Sequence, residues 1–457
     1  MNEATGEHRE REGARAPVGY FELLRRNRDF RYLWLGQVVS QLGDWFDTIA
    51  LYTLVLRLTG SGRAVGLVLV ARFLPSVVMG PLSGVLADRF NRRTIMIVSD
   101  LLRALVVLGF LFVRRPEQLW LIYALTVLQL AFSTFFEPAK TAAIPSLVST
   151  EELVPANAIT SVTWSVMLTL GAVVGGAITG AFGTDAAFVL DSVTYLISAA
   201  LIARIRLPKR PPRPKAKLTL ARATGLTDTL EGMRYVRTRP RVLATLLVKP
   251  AWGLGGGVLT LLAVFGEKVF PLGGSSATGI GVLYAARGIG TAFGPFIARR
   301  IAGDTRGAMQ TTIGVSFIVG GLFYIAFGRA GNFLYALVML GLAHMGGSIL
   351  WVFSTTLLQS TVEDRFRGRV FAAEMTLLTL AFAVSNYVTG ELLDSFGWSP
   401  RAVAVATGIV FILPGIVWFI TQRWWDNEPD EQLPHAPPQT LTAADALPAR
   451  DIHLSGD

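Results

Sequence analysis

The sequence predicts an all-α polytopic membrane protein, with about twelve transmembrane helices in two pseudo-symmetric six-helix bundles. Three observations carry that reading. Hydrophobic residues fill 52% of the 457 positions and charged ones only 16%, with a mean hydropathy of +0.48, whereas a soluble chain carries roughly a quarter charged residues. Apolar runs of about 20 residues, the length that crosses a hydrocarbon core as helix, recur along the chain. The bases between those runs are concentrated in alternate connections, as membrane topology demands.

In order, a basic arm (1–31), helical near Tyr20–Arg25, precedes six runs: Tyr32–Leu56, Ala64–Ala87, Thr94–Val113, Leu119–Phe136, Ala158–Phe182 and Ala186–Ile205. A polar linker follows (206–241). It opens on the extended PKRPPRPKAK and then turns helical, with Asp228 and Glu231 as a capping box and Arg239-Pro240 as the stop. Six more runs complete a second unit (242–421): Val242–Phe265, Ala277–Ile301, Ala308–Phe327, Phe333–Leu358, Phe371–Phe396 and Arg401–Thr421. The polar, proline-bearing tail (422–457) has the composition of a disordered segment. With a cytoplasmic N-terminus, roughly 31 of the 42 Lys and Arg fall on the inner side. Both termini are therefore expected inside a bacterial-type inner (plasma) membrane. The net charge of +10 belongs to topology and anionic lipid rather than to a nucleic-acid partner. No signal peptide is expected from the polar first thirty residues.

The two halves repeat one another. Ala64–Arg72 (AVGLVLVAR) and Gly279–Arg287 (GIGVLYAAR) each place a glycine six residues before an arginine. Gly80-Pro81 and Gly294-Pro295 follow, and Phe132-Ser133-Thr134 recurs as Phe353-Ser354-Thr355. Duplicated six-span halves put a substrate path between them at mid-membrane.

Charges within the runs cost about 2.5–3.5 kcal/mol each on insertion scales, so they are candidates for function. Asp44 and Asp47 lie three apart on one helix face near mid-depth. Two such acids raise each other's proton affinity unless bases neutralise them, which makes them the candidate proton-coupling pair, with Arg72, Lys249 and Arg287 as intramembrane charge partners. Asp100 and Arg103 read as a self-neutralising structural pair. Asp191, His344, Glu374 and Glu391 complete the set, with Glu374 and Glu391 within reach of interfacial water and His344 in a hydrogen-bonded packing role. The chain has no cysteine, and its histidines (His8, His344, His435, His453) are dispersed, so neither a metal nor another cofactor is expected. There is no phosphate-cradling loop, and the glycine clusters Gly253–Gly257 and Gly288–Gly294 fit no dinucleotide fingerprint. No nucleophile elbow appears either. Enzyme catalysis is not expected.

GVLADRFNRR (Gly84–Arg93) resembles the signature that the major facilitator superfamily carries between its second and third spans, with Asn91 where the family has glycine; asparagine is the next best residue for a positive-φ turn. QLGDWFDTIAL (Gln41–Leu51), FFEPAKTAAIPSLV (Phe135–Val148) and LLQSTVEDRFRGRV (Leu357–Val370) resemble the branch of macrolide-efflux and enterobactin-exporter-like proteins. The resemblance, which covers roughly residues 30–421, implies a major facilitator fold that works by alternating access. It further implies a conformational latch at Gly84, Asp88, Arg89, Arg92 and Arg93, with Asp88 facing the start of the eleventh span and the loop of Arg365, Arg367, Gly368 and Arg369. Gly171, Gly175, Gly176 and Gly180 resemble the family's exporter motif without its proline and allow close helix packing. The function expected is a secondary active transporter, exporting an amphiphilic or hydrophobic drug-like or siderophore-like molecule against protons, as a monomer in the bilayer. A lipid translocator and a non-transporting receptor or scaffold stay open as alternatives.

Overall fold

The computed structural model describes residues 20–149, 152–207, 226–302 and 305–425. Helix is the regular structure throughout these, apart from one bridge between Leu272 and Ser275. The linker's extended stretch and the tail lie outside the described residues. The short arm helix α1 (Tyr20–Arg26) seats Leu23 in the core and leads into α2 (Arg28–Thr59). Asn27 caps α2 by accepting from the Phe30 amide, and Gly60 ends it in the left-handed region at φ 61°. α3 (Gly62–Arg89), α4 (Arg92–Gly109) and α5 (Leu119–Leu147) follow.

The next helix, α6 (Leu153–Ile202), has 50 residues and would measure about 75 Å if straight, far more than a bilayer. It doubles back at Gly183, where φ 84° and ψ 172° require a residue without a side chain. Both arms lie along α2. Thr163 meets Trp34 on the way out and Thr184 meets Arg57 near the turn, while on the return Thr194 lies against Gly43 and Ile202 against Gly36. The sequence division into Ala158–Phe182 and Ala186–Ile205 falls at this reversal.

The linker's described part is α7 (Leu226–Arg237), and Pro240 opens α8 (Pro240–Gly253) at the helix start where its missing N–H costs nothing. Val236 is fully buried with Tyr235 against Leu358, Val362 and Val370, while Leu230 stays exposed. The seventh crossing is interrupted at Gly253–Gly257 and resumes as α9 (Val258–Val264) with a π turn to Val269. α10 (Ser276–Ala302), α11 (Arg306–Gly328), α12 (Phe333–Thr361), α13 (Asp364–Asp394) and α14 (Pro400–Trp425) complete the chain. Among the described residues nine helical stretches are long and apolar enough to cross a membrane. One of these is the doubled α6, and α2 and α3 cross beside them, giving the twelve crossings expected.

The halves meet along two symmetric seams. On one, α3 packs against α13: Ser61 and the amides of Gly62 and Arg63 donate to the Asp394 carboxylate, Arg63 lies 3.8 Å from Glu391, and Phe73 stacks on Phe382. On the other, the outgoing arm of α6 packs against α10. The repeated glycines mark the two crossings. A Cβ on Gly66 would lie 2.5 Å from the Asn386 carbonyl oxygen, and one on Gly281 would lie 2.5 Å from that of Ala172. Backbones approach this closely only over glycine. Lys268 adds a third tie by donating to the Gly60 carbonyl. These contacts close the end of the molecule that carries Gly60, Gly183 and Asp394. Toward the base-rich end the second seam runs as far as Thr169 and Gly288; beyond it Val162, Phe293 and Phe296 are exposed.

Candidate functional site

Two groups of polar side chains face each other across the interface between the halves. In the first half, α2 projects Asp44 and Asp47 one turn apart, α3 brings Arg72, α4 brings Asp100 and Arg103, α5 brings Gln129, and the returning arm of α6 brings Asp191 and Tyr195. Arg72 Nη1 lies 3.6 Å from Asp47 Oδ2. Gln129 Nε2 donates to Asp47 Oδ2 (3.3 Å) and to the Tyr195 hydroxyl (3.4 Å), and that hydroxyl donates to Asp44 Oδ1. The two carboxyls are thus the ends of one hydrogen-bonded chain. Its ends differ in access: the Asp47 side chain is 1% exposed and that of Asp44 39%.

Arg103 corrects the expectation of an isolated pair with Asp100. It bonds Asp100 but also lies 3.8 Å from Asp44, with its guanidinium 4.2 Å from the Tyr195 ring centre and 4.9 Å from that of Phe136. Asp191, wholly buried, accepts from Thr194 Oγ1 at 3.3 Å, while its Oδ2 has no partner. Gly43 makes room for that pair, since a Cβ there would lie 1.9 Å from Thr194 Oγ1 and 2.3 Å from Asp191 Oδ1. Four carboxyls therefore share two guanidiniums, with Asp47, Asp100 and Asp191 buried and Asp44 reached by solvent.

Of the three bases expected beside Asp44 and Asp47, only Arg72 is there. Lys249 belongs to the second half, where its Nζ lies 2.7 Å from Glu374 Oε2 with the two side chains 1% and 0% exposed. Its ammonium also sits 4.7 Å from the Trp351 ring and 5.5 Å from that of Phe371. Glu374 is therefore paired in the interior rather than wetted at the interface. Glu391 lies at the closed end beside Arg63. Arg287 has no carboxylate partner among the described residues; the ring of Tyr284 lies 5.9 Å away and its buried Nε has no hydrogen bond. It lines a chamber of about 230 Å³, mouth included, with Trp252, Gly255, Gly256, Leu259, Tyr324, His344 and Phe382 among its walls. Here the break at Gly253–Gly257 finds its reason. Cβ atoms on Gly256 and Gly257 would lie 2.2 Å from the Phe382 ring and 2.0 Å from Thr389 Oγ1, so the glycines let α13 close that wall. His344 lies 3.2 Å from the Leu340 carbonyl and 3.4 Å from the Tyr324 hydroxyl.

The glycine series divides between two neighbours. Gly171 and Gly175 lie against Trp45 of α2, while Gly176 and Gly180 lie against α10, at Gly281 and at Ser275 and Thr278. In the basic hairpin, Arg92 bonds the Ala142 carbonyl and approaches Ser146 Oγ (3.5 Å), and Arg93 bonds the Ala203 carbonyl and lies 3.3 Å from that of Ile202. Those two bases fasten the first bundle at its base-rich end. The backbone there includes Gly84, Asp88 and Arg89, but their surroundings, like the Arg365 side chain, lie outside the described residues, and so does the expected Asp88 latch. Arg365, Arg367, Gly368 and Arg369, expected in a loop, instead stand in the first two turns of α13, which begins at Asp364 rather than near Phe371; Gly368 is exposed, Arg367 is half-buried, Arg369 lies 3.1 Å from Glu231 of α7, and a Cβ on Gly232 would press on the Arg369 carbonyl. Asn91 does not take the positive φ expected of it. At φ −66° it caps α4, its side chain accepting from the Arg93 amide at 3.0 Å, a task asparagine performs as well as any residue.

Sequence reasoning missed Gln129 and Tyr195, which join the two acids. The signal was present: Gln129 is a lone amide in an apolar run, and Tyr195 stands one helical turn after Asp191.

Comparison with known proteins agrees with this architecture. A family model described as Major Facilitator Superfamily matches residues 33–373. The MFS-type transporter YfiS of Bacillus subtilis (strain 168) is 28% identical over 88% of this chain and 95% of its own length. Macrolide efflux protein A of Streptococcus pyogenes is 24% identical over 80% of this chain and 90% of its own. A bacterial homolog of the human lysosomal transporter Spinster, solved in an inward-facing and unoccupied conformation, superposes with a TM-score of 0.66 at 16% identity, covering 87% of this chain and 98% of that one.

Proposed function

The chain belongs to the major facilitator superfamily, and from that premise we propose that it is a proton-coupled exporter of amphiphilic or hydrophobic small molecules. The bundles 32–205 and 242–421 rock about the two glycine seams, and the base-rich end faces the cytoplasm with both termini. The conformation described above is then the one closed to the outside. The observation that carries proton coupling is the chain Asp47–Gln129–Tyr195–Asp44. It joins a solvent-reached carboxyl to a buried one in a cluster that holds two more acids than bases. Carboxylates without a counter-charge are costly in such a space, and a proton removes the cost. When Asp47 takes a proton, its attraction for Arg72 falls, and Arg72 stands six residues along α3 from Gly66, where the halves cross. Protonation thereby bears on the contact that must part for the outside to open. Export rather than uptake follows the efflux protein among its relatives. The aromatic walls beyond Arg287 suit an amphiphile.

Proteoliposomes test the reading. With a panel of neutral and charged fluorescent amphiphiles, an imposed pH gradient should drive accumulation by the wild type. Asp47→Asn should abolish that drive while leaving exchange of labelled for unlabelled solute. Gradient-driven transport undiminished in both Asp44→Asn and Asp47→Asn would remove the pair from coupling. Binding without exchange would replace the transporter with a receptor.

A further inference from the structure

We propose that Arg287, with Tyr324 and His344, forms an anion-binding end to the substrate site, so that the preferred solutes carry a carboxylate, phosphate or sulfonate on an apolar ring body. The inference rests on the transporter reading and names its substrate class. It comes from comparing the two arginines of the internal repeat. Arg72 and Arg287 stand at equivalent places, each six residues after the glycine at which the halves cross. Arg72 has Asp47 at 3.6 Å. Among the described residues Arg287 has tyrosines and no carboxylate beside it, with the Tyr284 ring 5.9 Å away and its Nε without a hydrogen bond, and the nearby crossing formed by α8 and α9 contributes Trp252, Gly255, Gly256 and Leu259 to its surroundings. Lys249, the other base of that half, is already held by Glu374.

A guanidinium is always charged, and one that is half-buried among aromatic rings with its Nε unpartnered gains from a counter-ion. The space beside it is partly open, so an anion can reach it. The Tyr324 hydroxyl lines the same space and can turn to donate to an anion beside the guanidinium, while His344, whose Nδ1 lies 3.2 Å from the Leu340 carbonyl, positions that hydroxyl from its other nitrogen. Trp252 and Phe382, with rings 5.1 Å apart and edge to face, offer the apolar wall for the rest of the molecule. The enclosed part of this space has room for one water-sized group, so it takes the anionic headgroup at its mouth and leaves the ring body in the passage between the halves.

Binding of a matched series tests this without relying on any variant: naphthylacetate, the neutral naphthylacetamide and the cationic naphthylethylamine, titrated onto the purified full chain and followed by tryptophan fluorescence. The anion should bind about tenfold more tightly than the amide, the amount one charge-assisted contact supplies, and the amine more weakly than either. Arg287→Gln should bring anion and amide within about twofold of each other, and Arg287→Lys should keep most of the preference. Equal binding of the three, a preference for the amine, or an unchanged preference in Arg287→Gln would overturn the proposal. Repeating the titration in nanodiscs of phosphatidylglycerol and of phosphatidylcholine separates the sources of the anion. Affinity equal in both lipids supports a soluble solute, and displacement of naphthylacetate by phosphatidylglycerol would make the chamber a lipid headgroup site and overturn it. No proton gradient is involved, so a chain that shows this selectivity but fails to pump refutes the exporter reading alone.

Discussion

Replacing Gly281 by alanine should drive the closed end open. The added Cβ would lie 2.5 Å from the Ala172 carbonyl oxygen and 2.9 Å from Gly176 Cα, and both are backbone atoms that cannot swing away. Ordinary contacts begin near 3.4 Å, so α6 and α10 must separate by the order of 1 Å or tilt. Overpacking of this kind costs typically about 1–3 kcal/mol, and it falls on the closed state alone because the contact parts on opening. A differential of that size changes the ratio of the two states by about 5- to 150-fold. Gly66→Ala should act alike through the Asn386 carbonyl on the other seam. The chain has no native cysteine, so single cysteines at the exposed Arg115 and Arg329, one in each half near the closed end, can carry spin labels without background. Double electron–electron resonance should show a longer-distance population growing in Gly281→Ala and in Gly66→Ala. Gly307→Ala, where an added Cβ meets nothing within 4 Å, should leave the distances as they are. Unchanged distributions in both seam variants would show that the glycine crossings do not hold this end shut.

Two further outcomes follow from the first bundle. Asn91→Ala should lower thermal stability in detergent by about 1 kcal/mol through loss of the α4 cap, while Asn91→Gly should cost only a few tenths; equal losses would dissociate the effect from capping. Arg103→Met leaves Asp100 and Asp44 without their guanidinium and should cost about 3–5 kcal/mol, much of it recovered in Asp100→Asn/Arg103→Met; thermal unfolding of the three proteins decides, and a double variant no better than the single would show that Arg103 acts through the Tyr195 and Phe136 rings instead.

The crossings and the internal repeat were legible because they depend on composition along the chain. A run of apolar residues reports burial in lipid wherever it ends up, and the Gly-to-Arg spacing survives in both halves because each glycine performs the same backbone approach. Pairing was not legible in the same way. Which base meets which acid depends on how far each helix is rotated about its axis, and depth counting leaves that rotation open. Lys249 and Arg287 lie at depths suited to Asp44 and Asp47, yet Lys249 is turned into its own bundle toward Glu374 and Arg287 toward Tyr324 and His344. Asn91 shows a second limit. A residue that serves both turns and helix starts gives one signal for two conformations, and the structure selects the cap because Arg93 follows in helical geometry. The reversal at Gly183, by contrast, falls in the gap between the runs Ala158–Phe182 and Ala186–Ile205.

The repeat also explains why two equivalent arginines do different things. Duplication supplies the same backbone crossing twice, so it dictates where Arg72 and Arg287 stand but not what surrounds them. In the first half Asp44 and Asp47 come within reach, and the charge is answered inside the protein. In the second half the matching crossing is broken by Gly253–Gly257, which brings Phe382 and Trp252 close, and none of the described acids stands beside Arg287. An internal counter-charge can be titrated, whereas a missing one must come from outside. The proposed division of labour, protons in the first half and cargo in the second, follows from that difference at the two arginines. The two meet at Tyr284, whose ring lies 5.7 Å from that of Trp45 and 6.1 Å from that of Tyr52 and whose hydroxyl donates to the Leu259 carbonyl, so α2 of the first half touches the side chain that stands beside Arg287.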